Sequence, residues 1–240
     1  MRETVHDSSF RLATKNIAIS SIILPIIFST SMISVQADSL NPSMYSNTSV
    51  PFGTAYKDWI SKWWQWNAGI PASSHPRDNY TPQKCTINQA GPIWFLPDIL
   101  SGKEERTCTI PTGKAILVPL LTGSCWDDNT DPKLKTDAGI RQCASEGDNY
   151  GVISANLDGT NLQNLQQYRT MSGYFQITIP KNNVMNSIPG TFKSIADGFF
   201  IFLQPLSPGK HDLQLKTSVS NPITPTYDYS AEVIYHLIIK

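Results

Sequence analysis

Hydrophobic and polar positions follow two different periods along this chain, and the change falls near Gly91. Between Tyr56 and Ile70 the period is helical. At 100° per residue Tyr56, Trp59, Trp63, Trp66 and Ile70 fall in one arc, with Ile60 at its edge, while Lys57, Asp58, Ser61, Lys62 and Gln65 lie opposite. Thr54 can cap the start, and Gly69 and Pro71 can end it, so the pattern predicts an N-terminal, Trp-rich amphipathic helix. After Gly91 come short apolar or alternating runs bounded by Pro and Gly: "GPIWFL", "KAILVPLL", "YGVISANL", "GYFQITI", "DGFFIFLQPL", "HDLQLK" and "YSAEVIYHLIIK". Such runs predict a mainly β fold, an antiparallel β-sandwich of immunoglobulin-like kind, by an architectural analogy that carries no function. Pro208 and Gly209 are placed for a tight turn between two strands, and Tyr229 to Ile239 reads as the closing strand. In "DPKLKTDAGIRQCASE" Pro132 occupies a first helical position after Asp131, which predicts a short helix carrying Cys143.

The N-terminal segment has a different character. Arg2, Arg11 and Lys15 precede an uncharged stretch from Asn16 to Ala37, closing on Val35-Gln36-Ala37, the pattern of an export signal cleaved before Asp38. An uncleaved anchor is the competing reading, because Ile17 to Val35 is nearly long enough to span a bilayer. Residues 38–52, rich in Ser, Asn and Pro, read as a flexible leader, and 53–240 as a single β-sandwich domain.

Composition narrows the function classes. Lys plus Arg equal Asp plus Glu at 19 each and charged residues make up only 16%, so there is no electrostatic footprint for nucleic acid. Beyond the signal no second apolar run of spanning length follows. Cys85, Cys108, Cys125 and Cys143 all lie after it, an even count that in an exported chain favours disulfides over metal ligation. Of the three possible pairings, neighbour pairing is simplest; each loop of about 20 residues would then stabilise the fold by roughly 3 kcal/mol.

The tryptophans raise the question of a binding surface. Burying one Trp removes 150 to 250 Å² from water and is worth up to about 4 to 6 kcal/mol, so the stripe formed by Trp59, Trp63 and Trp66 reads as core. Trp64 lies at the margin of the stripe, where a ring can be half exposed, and is the helix tryptophan expected to contact a ligand. Trp126, among acids in a loop, is a second binding candidate able to stack on a sugar or peptide.

Acid/base candidates are His75 with Asp78, in the polar loop "SSHPRDNY", and the pair Asp127 and Asp128. His211 after a turn and His236 in the closing strand read as ordinary strand histidines. Asp127, Asn129 and Asp131 have the alternate spacing that begins a calcium loop. Pro132 and Ala138 stand where an EF-hand needs glycine and glutamate, so only a looser calcium site is left, and no other cofactor is expected. The chain has no G-x-S-x-G, H-E-x-x-H or G-x-G-x-x-G motif and no complete phosphate loop. Sequons occur at Asn47-Thr48-Ser49 and Asn79-Tyr80-Thr81.

Several stretches taken in order carry a family resemblance: "WISKWWQWNAGIP", "CTINQAGPIWFL", "RTCTIPTGKAILVPL", "NLDGTNLQNLQQYR", "ADGFFIFLQPLSPGKHDLQL" and "YHLIIK". From Gly53 to Lys240 the chain resembles an uncharacterised family of exported prokaryotic proteins. The resemblance implies export and the extent of the domain; it brings no catalytic or binding residues. With no catalytic signature in the chain, the leading expectation is a secreted or cell-surface module that binds glycan or protein, and enzymatic activity is left open. The alternatives are an extracytoplasmic polysaccharide hydrolase or lyase, and a structural envelope component.

Overall fold

The computed structural model describes residues 44–99, 101–146, 151–220 and 228–240. The expected signal segment, 1–37, and the first residues of the leader lie outside these. Helix α1 spans Tyr56–Gly69 and α2 spans Asp137–Glu146. The strands are β1 (Ile93–Phe95), β2 (Gly102–Ile110), β3 (Ala115–Trp126), β4 (Gly151–Leu157), β5 (Thr160–Asn161), β6 (Phe175–Ile179), β7 (Gly190–Leu203), β8 (Gly209–Val219) and β9 (Tyr229–Ile239). They form two sheets, a first of order β1-β3-β7-β6 and a second of order β2-β9-β8-β4-β5.

The two sheets differ in how they meet water, and the sequence shows why. In β3 every residue from Ala115 to Leu121 is buried, and in β7 every residue from Ser194 to Leu203, the continuous apolar reading of a sheet covered on both faces. One face of this first sheet presents Ile116, Val118 and Ile201 to Leu213, Val233 and Tyr235 of the second. Its other face, through Leu117, Phe200 and Phe202, lies under α1. The second sheet alternates buried and exposed residues along β8 and β9, so its outer face is open to solvent. The result is a β-sandwich-like core with a helical layer on one side.

Several expectations need correction. Two pairings are parallel, β1 with β3 and β2 with β9, because the chain crosses to the second sheet as β2 before returning as β3. β2, "GKEERTCTI", is polar enough to escape notice, yet Arg106, Cys108 and Ile110 point inward while its charged residues guard a sheet edge. Pro208 and Gly209 do not close a hairpin: β7 and β8 belong to different sheets, so residues 204–208 form a crossover. The helix cap is Ala55 rather than Thr54, with no side-chain hydrogen bond. The expected second helix is broken into a 3₁₀ turn, Pro132–Lys135, capped by Asp131, and then α2. From Met44 the leader is not a free tether: Met44 bridges Leu203, and the Tyr45 N–H donates to the Phe202 carbonyl at 2.8 Å.

The disulfides pair Cys85 with Cys108 and Cys125 with Cys143. Cys125 lies inside β3, so the second bridge ties α2 directly to the first sheet. Pro119 interrupts β3 beyond the part paired with β1, and the register shifts between Pro119 and Leu121. The Leu120 carbonyl turned out by this irregularity accepts the Thr217 hydroxyl of the opposite sheet at 2.6 Å. Gly198 on β7 pairs with Thr122, just past the irregularity, and a Cβ there would approach the Leu121 carbonyl oxygen to 2.4 Å.

Candidate functional site

All four tryptophans of α1 are buried in the core. Trp59 donates its Nε1–H to the Pro51 carbonyl at 3.0 Å, Trp63 to Leu96 at 2.8 Å and Trp66 to Ile87 at 2.9 Å. Trp64, expected to be half exposed, is only 6% exposed, packs edge-to-face on Trp63, and donates to the Thr122 hydroxyl at 3.2 Å. The helical wheel misplaces it because β3 runs past β1 and reaches under the margin of the stripe. Trp126 is the last residue of β3, not a loop residue, and packs half-buried against the same cluster.

The acid/base candidates do not converge either. His75 is fully buried: its Nε2–H donates to the Asn67 carbonyl at 2.9 Å and its Nδ1 accepts the Arg77 N–H at 3.0 Å, a fixed neutral tautomer. Burial pulls this imidazole below the usual histidine range. Asp78 is exposed, and its backbone carbonyl accepts from Lys84 Nζ at 2.6 Å. Asp127, Asp128 and Asp131 each turn a carboxylate oxygen back onto the backbone N–H two residues on, at 2.8 to 3.0 Å, folding the loop on itself. Among the described residues no group of three or more His, Cys, Asp or Glu side chains could hold a metal ion.

A polar cluster that the sequence did not suggest lies between β2 and the residues after β1. The Arg106 side chain is fully buried and donates to Glu104 at 2.7 Å, to the carbonyls of Asp98 and Arg77 at 3.1 and 3.2 Å, and to the Tyr235 hydroxyl at 3.2 Å. Arg77 pairs with both carboxylate oxygens of Asp98. A concavity of about 280 Å³ adjoins Asp98, but its remaining wall is largely apolar and this carboxylate is already engaged. The cluster is a structural joint between strands.

A second concavity, of about 290 Å³, lies where the β4–β5 turn meets the β7–β8 crossover, and it brings a carboxylate, an imidazole and hydroxyls together. Its polar lining is Asp158, Thr160, Gln204, Ser207 and His211. Leu157, Pro205 and Leu206 supply the apolar part. Asp158 sits in the turn with positive φ, and Gly159 after it does too, a tight reversal that aims the carboxylate at β8. His211, on β8, holds its Nδ1 2.6 Å from Asp158 Oδ2. Its Nε2 faces Ser207 at the end of the crossover, 3.4 Å from the hydroxyl oxygen and 2.9 Å from the carbonyl oxygen. Burial pulls the imidazole down, but the hydrogen bonds to Asp158 and to the Ser207 carbonyl, with the charge of Asp158, outweigh it and hold His211 above the ordinary histidine value.

None of Trp64, Trp126, His75, Asp78, Asp127 or Asp128 lines this pocket. Sequence reasoning missed it because its members are separated in the chain and join only through sheet pairing: Leu157 is opposite Leu213 in the β4–β8 ladder. No protein-family model, curated protein or solved structure matches the chain.

Proposed function

We propose that this protein is an exported, disulfide-stapled β-sandwich module that binds a glycan at the cell surface or outside the cell, and that its site is the pocket around Asp158 and His211. One observation carries the reading: a carboxylate, an amide, two hydroxyls and an imidazole meet in one open concavity beside three apolar side chains. A sugar ring needs that mixture, with acceptors and donors for neighbouring hydroxyls and an apolar patch for its C–H face. Export is supported by the basic and apolar N-terminal segment, by the family resemblance, and by two disulfides, which belong to oxidising compartments. No helix among the described residues is long and apolar enough to cross a membrane. The finer immunoglobulin-like assignment draws support from the two face-packed sheets, and the parallel pairings β1/β3 and β2/β9 count against it.

The test is a glycan array probed with the exported protein and with Asp158→Ala and Gln204→Ala. The proposal expects binding by the wild type and at least a tenfold loss in both variants. Retention of no glycan, or equal binding by all three proteins, would overturn it.

A further inference from the structure

We infer that the same pocket hydrolyses a carboxylic ester, with Ser207 as nucleophile, His211 as general base and Asp158 as the group that orients His211. The inference rests on the glycan-binding reading for its substrate class, an O-acyl ester on a sugar hydroxyl, and on geometry for its chemistry. Nucleophile, base and orienting carboxylate stand in line: Ser207 Oγ to His211 Nε2 at 3.4 Å, and His211 Nδ1 to Asp158 Oδ2 at 2.6 Å. Such an arrangement is recognised by its distances and roles, and the nucleophile–base contact is often long before substrate binds. Asp158 is itself fixed, because its Oδ1 accepts the Asp212 N–H at 2.8 Å. It is also the one other ionisable side chain lining the pocket with His211.

Two resting arrangements follow from the Ser207 contacts. When His211 is protonated, Nε2–H donates to the Ser207 carbonyl and the serine hydroxyl has no base. When it is neutral, Nε2 is free to accept the hydroxyl proton. Ser207 Oγ then attacks the ester carbonyl carbon as its proton passes to Nε2. The carbon–alkoxy bond breaks, the leaving sugar hydroxyl takes that proton, and an acyl-serine remains. Water attacks the acyl-serine, gives one proton to Nε2, and the carboxylic acid departs as Ser207 recovers its hydrogen. The net change is ester plus water to acid plus alcohol. The open pocket, about 290 Å³, admits a small acyl group and one sugar ring.

The exported protein is treated with p-nitrophenyl acetate and, separately, with a fluorophosphonate. Expected are turnover that rises with pH as His211 loses its proton, and a fluorophosphonate adduct mapped by mass spectrometry to Ser207. Ser207→Ala removes both, and His211→Gln lowers turnover about 10³-fold or more. Ser207 is exposed in the crossover, so its alanine variant is expected to fold, which circular dichroism checks. No adduct at Ser207, or turnover unchanged in Ser207→Ala, overturns the hydrolytic inference. Glycan binding without an adduct leaves the binding reading standing alone, whereas an adduct without glycan binding overturns that reading and with it the sugar-ester substrate class, leaving serine ester hydrolysis.

Discussion

Asp158 and Asp212 are tied to each other twice, once through the Asp158 carboxylate and once from backbone to backbone. The Asp212 N–H donates to Asp158 Oδ1 at 2.8 Å, and the Asp158 N–H donates to the Asp212 carbonyl at 2.9 Å. Each aspartate then holds a histidine: Asp158 pairs with His211 at 2.6 Å and Asp212 with His236 at 2.7 Å. Glu105 approaches the far nitrogen of His236 at 3.4 Å. The β4–β5 turn, β8, β9 and β2 are thereby linked through charged groups on one side of the second sheet.

A pH dependence follows. The hydrogen bond to Asp212 raises His236, and for His211 the Asp158 and Ser207 contacts outweigh burial, so both titrate above the ordinary histidine value. A raised folded-state value means that their contribution to stability is complete below about pH 6.5 and is lost as pH climbs through the raised values. His75 runs the other way. Burial lowers it, so its contribution is present above about pH 6.5 and is lost as pH falls. Proton NMR titration of the imidazole C2–H signals is expected to place His211 and His236 above, and His75 below, the free value; His211 at or below it would contradict the pairing.

Arg106 makes a sharper stability test. Its side chain is fully buried and its donors are distributed over Glu104, two carbonyls and Tyr235, whereas Glu104 is 37% exposed. Arg106→Ala orphans those buried acceptors and is expected to cost about 3 to 5 kcal/mol. Glu104→Gln removes only a partly solvated charge and is expected to cost less than about 1 kcal/mol. Urea denaturation of both variants measures the difference, and similar losses would show that the ion pair, not the buried network, holds this joint.

Asn67 predicts a gain. It is 1% exposed near the end of α1, and neither Nδ2 nor Oδ1 has a hydrogen-bond partner among the described residues. An orphaned buried amide costs about 1 to 3 kcal/mol, so Asn67→Leu, close in volume, is expected to raise the unfolding midpoint. A fall would mean that the amide has a partner.

The disulfide between Cys125 and Cys143 fastens α2 to β3 across a sequence separation of 18 residues. Replacing both cysteines by alanine is expected to lower stability by roughly 3 kcal/mol in the chain-entropy model. An unchanged denaturation midpoint would contradict this.

What could be read from the sequence was what periodicity and punctuation encode. The Trp59, Trp63 and Trp66 seam obeys the helical wheel, and strands with long apolar runs, such as β3 and β7, are plain in the chain. β2 was hidden because an edge strand can be polar and still be paired. Trp64 was misjudged because a wheel describes one helix and says nothing of how wide the surface beneath it is. His75 was misjudged for a related reason: a polar neighbourhood in sequence became a buried one in space, with Asn67 and Arg77 supplying backbone partners. The pocket left almost no local signal. Asp158 and Ser207 are far apart in the chain, and only the β4–β8 pairing and the crossover between sheets bring both to His211.

The most direct test of the central claim is chemical-shift mapping of the isotope-labelled protein titrated with a panel of mono- and oligosaccharides. The pocket reading predicts saturable shifts at the Thr160, Gln204 and Ser207 amides and at the His211 imidazole, abolished by Asp158→Ala. Shifts confined to the outer face of the second sheet or to the loop after Trp126, or no saturable shift with any sugar, would contradict it.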